Sequence, residues 1–135
     1  MAAGSIVGMV MHSPVVTVEG TVTLREAAGA LRDAGIGTLA VMDGPEIVGI
    51  VSERDVTRAL ADGADPDEVW VADVMSGEPR YVTSGDQVDA ARDVMLAAGV
   101  RHLPVLDEGE LVGIVSMRDL LRVARRPVPE GRGCI

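Results

Sequence analysis

Residues 48–60 read VGIVSERDVTRAL, and residues 112–124 read VGIVSMRDLLRVA. Eight of the thirteen positions are identical, at a constant offset of 64. Chance does not produce such a match in 135 residues, so the chain is a tandem duplication, and the fold must be read as two copies of one unit. In each copy an apolar, β-branched run (Ile47 to Val51; Leu111 to Val115) leads into a helical pattern. A serine stands at the junction and an aspartate follows three residues later. The pattern predicts a strand whose carboxyl end points at a helix N-terminus. Such a terminus offers unpaired N–H groups and the positive end of the helix dipole, which favour an anion.

Working outward, Val15 to Val18 predicts a first strand. Thr23 and Glu26 form a capping-box signature ahead of Leu24, Ala27, Ala28, Leu31 and Ala34 at helical spacing, with Gly35 placed to terminate the helix. Thr38 to Met42 and Ile47 to Val51 are strands around the turn Asp43-Gly44-Pro45, and Val56, Ala59 and Leu60 mark a second helix ending near Gly63. After the acidic linker Asp65-Pro66-Asp67-Glu68 the order repeats. Arg80 to Thr83 is a strand, Gln87 to Ala98 a helix capped by Asp86 and stopped by Gly99, Leu103 to Leu106 and Leu111 to Val115 strands, and Met117 to Arg125 a helix. Ile6 to Met11 mirrors Val71 to Met75 as a short helical turn. Trp70 reads as an anchor packed on the repeat, and Met9, Met11, Met42, Met75 and Met95 as core filler.

The expected class is α/β (α+β), with two β-α-β-β-α repeats at 6–63 and 71–126 and a flexible tail at 127–135. One such unit has too few strands to cover its own sheet. Two copies related by a pseudo-two-fold axis bury a shared face and leave two clefts, the places where ligands prefer to bind.

Composition narrows the function classes. Hydrophobic residues make up 47% of the chain, yet the only aromatics are Trp70 and Tyr81, so the core is aliphatic. The net charge is −9 and all twelve basic residues are arginine, which argues against binding to nucleic-acid backbones. The single Cys134 excludes an intrachain disulfide and fits a reducing cytoplasm. No apolar run approaches the ~20 residues of a membrane span, and the N-terminus lacks a basic leader pattern. Two histidines and one cysteine, widely scattered, make no metal set. No nucleophile–base order, Walker loop or GxGxxG is present, so no catalytic residue is assigned.

The ordered markers VMHSPVVTVEGTVTLREAA, GIGTLAVMDG and EIVGIVSERDV in the first copy, and VMSGEPRYVTSGDQVDAA, GVRHLPVLDEG and ELVGIVSMRDL in the second, resemble a pair of CBS (cystathionine β-synthase) domains, the tandem called a Bateman module. The resemblance covers roughly residues 6–126. It implies a stand-alone, non-enzymatic regulatory module that binds AMP, ADP or ATP, or alternatively S-adenosylmethionine, forms a homodimer through its second helices and acts on a regulated protein. The opposing reading is a ligand-free interaction scaffold.

The family's nucleotide signature, Gly-apolar-x-Ser/Thr-x-x-Asp, falls on Gly49, Ser52 and Asp55 and on Gly113, Ser116 and Asp119. Glycine permits close approach of a ligand to the backbone, the serine and the helix N–H groups suit a phosphate, and the aspartate suits two ribose hydroxyls. Ser-x-x-Asp is equally a capping box, and that alternative stays open. By resemblance, Arg101 and His102 are candidate phosphate contacts beside Pro104; otherwise Arg101 pairs with an acidic neighbour and His102 is a surface donor. The first copy carries Thr38 at the place of His102 and lacks the arginine and the proline, so the two sites are unequal, with the second the better complement to an anion. Arg54 and Arg118 either touch phosphate or pair with acidic neighbours. Val16 and Tyr81 either pack an adenine or serve as core and rim. His12 reads as a turn residue.

Overall fold

The computed structural model describes residues 4–124, with side chains through Arg122, so the expected tail at 127–135 lies outside the described residues. The chain divides into two compact units.

The first unit comprises residues 15–79. Its elements are β1 (Thr17–Glu19), α1 (Leu24–Ala34), β2 (Thr38–Asp43), β3 (Glu46–Ser52), α2 (Glu53–Ala61), a 3-10 turn (Val71–Asp73) and β4 (Ser76–Gly77). The sheet order is β1-β2-β3-β4, with β1 parallel to β2 and the other pairs antiparallel. The Thr23 and Glu26 capping box forms as expected, and Gly35 terminates α1 with φ of 67°. Leu24, Ala27 and Leu31, spaced for one helix face, meet Leu39, Val41, Val51, Val56 and Val71 in the core.

The other unit joins residues 4–14 to residues 80–124. It contains a 3-10 turn (Val7–Met9), α3 (Val88–Ala98), β5 (His102–Asp107), β6 (Glu110–Ser116) and α4 (Met117–Ala124). β5 and β6 are antiparallel. The core is Val7, Val82, Val88, Ala91, Met95, Leu103, Val105, Val115 and Leu120.

The repeat in sequence is therefore not the compact unit in space, because the leading segments are exchanged. Val71 N–H donates to Val22 O at 2.8 Å, Ala72 to Gly20 at 3.0 Å and Leu24 to Val69 at 3.0 Å. In the other unit Val7 donates to Asp86 at 2.9 Å, Gly8 to Ser84 at 2.8 Å and Val88 to Ser5 at 3.1 Å. The two sets are superposed by the offset of 64. Each leading segment donates two N–H groups to carbonyls of the unit it joins, accepts the first N–H of that unit's helix and buries one valine, Val71 or Val7, completely.

Four local expectations are corrected. Arg80 to Thr83 is not a strand: only Val82 bridges, to Val105. Beyond it the donors go to side chains, Thr83 N–H to Asp86 Oδ2 at 2.9 Å and Ser84 N–H to Asp107 Oδ1 at 3.0 Å, which withdraws them from a ladder. Asp86 is thus committed to its turn, and α3 starts after Gln87 with no side-chain cap. Trp70 joins the fold by its backbone, bridging Thr23, while half of its surface stays exposed. Of the methionines, Met95 is fully buried, whereas Met9 is 71% exposed and fills no core.

Asp107 ties the end of β5 to the loop before α3. Ser84 Oγ–H donates to it at 2.6 Å, and the two Ser84 hydrogen bonds, the side-chain one first, hold its carboxyl below the usual carboxylate range. A depressed folded-state pKa contributes stability that is present above the unfolded value, about 4, and is lost as pH falls through the folded value. Asp107→Asn should therefore flatten the acid limb of the melting-temperature profile below about pH 4 and leave its slope near neutral pH unchanged. Thermal melts of both proteins across that range check this.

Candidate nucleotide site

Each Ser-x-x-Asp motif stands where a sheet strand turns into a helix. At the end of β3, Ser52 is extended (φ −114°, ψ 167°) and its Oγ accepts from Asp55 N–H at 3.2 Å. Asp55 Oδ2 accepts from Ser52 N–H at 2.8 Å and from Ser52 Oγ–H at 3.0 Å. At the end of β6 the same three bonds recur: Asp119 N–H to Ser116 Oγ at 3.2 Å, and Ser116 N–H and Oγ–H to Asp119 Oδ2 at 2.9 and 2.8 Å. Both motifs are capping boxes, as the alternative reading of the sequence had it. The box consumes one carboxylate oxygen and leaves the question of the other.

The two copies answer that question differently. Among the described residues, Asp55 Oδ1 has no partner, and the residue is partly exposed. Asp119 is only 3% exposed. Its Oδ1 lies 3.1 Å from Nε2 of His12 and 3.7 Å from Nη2 of Arg122. A carboxylate only accepts, so the His12 ring donates from Nε2. His12 is thus not merely a turn residue, as the sequence reading had it. Its backbone bridges Ile114, exchanging N–H···O bonds of 2.8 and 3.1 Å, and this aims the ring at the α4 N-terminus. The only sequence signal was the repeat offset, which sets His12 against Ser76, a residue with the same backbone role opposite Ile50.

The glycines are reassigned by geometry. A Cβ on Gly49 would collide with the Met75 thioether, 2.8 Å from its Cγ and 2.9 Å from Ser76 O. One on Gly113 would lie 2.5 Å from Met11 Sδ and 3.1 Å from His12 O. On that side the close approach is made by the exchanged leading segment rather than by a ligand. Pro104 is likewise fully buried, paired with Ile114, and presents no surface to a ligand.

Other candidates do gather at the serines. Thr38 pairs with Ser52 across β2 and β3, and His102 pairs with Ser116 across β5 and β6. Thr38 is 7% exposed, and its hydroxyl has no hydrogen-bond partner among the described residues. A buried hydroxyl left without a partner costs about 1–3 kcal/mol. Arg101 donates no ion pair among the described residues, and its carbonyl receives Met117 N–H at 2.8 Å at the start of α4. Arg54 and Arg118 are exposed and also without an ion pair among the described residues, so neither is spent on an acidic neighbour. Val16 packs partly against the core of its own unit, and Tyr81 is 58% exposed. Among the described residues no cluster of histidine, cysteine and acidic side chains could hold a metal ion, and no helix is long and apolar enough to cross a membrane.

The CBS domain model matches residues 7–62 and 71–126. An uncharacterized protein of Methanopyrus kandleri is 38% identical over 120 residues, 87% of this chain and 61% of that protein, so the chain spans less than two thirds of that relative. Among solved structures, a putative signal-transduction protein with CBS domains from Burkholderia ambifaria superposes with a TM-score of 0.81 at 29% identity, covering 94% of this chain and all of that one. A CBS domain protein from Pyrobaculum aerophilum complexed with AMP superposes with a TM-score of 0.79 at 30% identity, covering 90% and 99%. Two matched repeats, one strand-to-helix junction in each and the same mixed α/β architecture in its relatives make this chain a member of the CBS domain family, with two CBS repeats.

Proposed function

We propose that the protein is a non-enzymatic regulatory module that binds an adenosine nucleotide (AMP, ADP or ATP) at its Ser-x-x-Asp signatures. The observation that carries this reading is the first-repeat constellation. An orphan buried hydroxyl, Thr38, stands opposite Ser52, and Asp55 holds one open carboxylate oxygen at the same strand-to-helix junction. The hydroxyl and the α2 N–H groups suit phosphate, and the open oxygen suits a ribose hydroxyl. The AMP complex of the Pyrobaculum relative supports the same ligand class. Arg101 and Arg118 offer the cationic complement in the second repeat. A thermal-shift panel of AMP, ADP, ATP and S-adenosylmethionine tests it. A ligand at 100 times its dissociation constant stabilises the fold by about 2.7 kcal/mol, a rise on the order of 10 °C for a chain of this size. No shift with any of the four at millimolar concentration would leave the scaffold reading in its place.

The module is also proposed to be a homodimer. On the second helices Val56 and Leu120 are buried in the cores, but Leu60 on α2 and Leu121 on α4 remain 46% and 47% exposed. Val123, also apolar and on α4, has a side chain outside the described residues. Sedimentation should give a species of twice the 14.1 kDa chain mass at micromolar concentration, and the double substitution Leu60→Glu, Leu121→Glu should return it to the monomer mass.

A further inference from the structure

The two signatures share every bond of the capping box and differ in a single feature, the group facing Oδ1 of the aspartate. In the first repeat nothing among the described residues does. In the second, His12 and the more distant Arg122 close that oxygen, and both Asp119 oxygens are engaged. With these groups over it Asp119 is only 3% exposed, so a ribose hydroxyl reaches its Oδ1 by displacing the imidazole. His12 is well placed to be displaced. Its ring is 70% exposed, so it exchanges its carboxylate partner for water at little cost, while its backbone stays locked to Ile114.

We propose that His12 is the gate of the second signature. It occupies Asp119 in the unliganded protein, so the first signature is the site that takes nucleotide and the second binds only in competition with the imidazole. This inference rests on the nucleotide reading above and adds to it an order of occupancy, which reverses the preference for the second copy drawn from Arg101 and His102. It also assigns the leading segment a role: the residue that pairs with one strand edge decides whether the neighbouring helix start is open.

The informative substitution is His12→Ser, because Ser76 already fills the equivalent place against Ile50 and the backbone pairing is the same. Calorimetric titration with AMP should give one site per chain in the wild type. In His12→Ser a second site should appear, or the weaker one tighten by about three- to tenfold, the range of a single hydrogen bond. Adding Asp119→Ala to His12→Ser should abolish the gain, and His12→Ala should reproduce it. If His12→Ser and His12→Ala titrate like the wild type while Asp55→Ala loses binding, the gate is wrong and the nucleotide reading stands. If no variant binds any adenosine nucleotide, the nucleotide reading fails and the gate fails with it.

Discussion

Asp55→Ala is expected to weaken adenine-nucleotide binding at least tenfold. Oδ1 of Asp55 is the open acceptor at the first junction, and a hydrogen bond to a charged acceptor contributes about 1.5–3 kcal/mol. The same substitution removes a capping partner, so the unliganded protein should also lose about 1 kcal/mol. Asp119→Ala should show the reverse balance. It deletes the bonds to Ser116 and His12 from a nearly buried carboxylate, so stability falls further, by about 2 kcal/mol, while the first site titrates almost unchanged. Calorimetric titration and thermal melts of both variants separate the two effects. A lowered melting temperature in Asp55→Ala with unchanged affinity for AMP, ADP and ATP would reduce Asp55 to a cap and remove it from the site.

Gly49→Ala should cost about 1–3 kcal/mol, a fall in melting temperature of roughly 4–10 °C, although it adds one methyl group. The Met75 side chain can swing away from a new Cβ, but the Ser76 carbonyl 2.9 Å distant belongs to the β3–β4 pairing and cannot withdraw without breaking it. Gly113→Ala should behave similarly through His12 O at 3.1 Å, with a smaller loss because that contact is less severe. Gly77→Ala is the control: its nearest atom is Val48 O at 3.9 Å, and it should leave stability almost unchanged. Equal melting temperatures for Gly49→Ala and Gly77→Ala would show that the leading segment is not held against β3 as described.

Local chemistry carried most of the elements. The Thr23 and Glu26 box, the left-handed Gly35 and Gly99 and the paired strands around Gly44 and Gly109 are contacts within a few residues of sequence, where propensity and turn geometry decide the outcome. The Ser52/Asp55 and Ser116/Asp119 junctions were legible for the same reason, down to the capping alternative. What depended on distant partners was misjudged. Arg80 to Thr83 has β propensity, but Asp86 and Asp107 claim the donors a strand would need. Gly49 and Gly113 look like ligand-facing glycines until Met75 and Met11 are seen across them.

By itself, then, the sequence determined the duplication, the order of strands and helices, the capped junctions and the family, because each follows from a repeat or from short-range pairing. Only the tertiary structure decided which leading segment joins which unit, and that exchange is what carries His12 to Asp119. His12 and Asp119 are 107 residues apart in the chain and 3.1 Å apart in space. No periodicity or spacing encodes such a pair, because it is created by backbone hydrogen bonds between His12 and Ile114 that exist only once the sheet has formed.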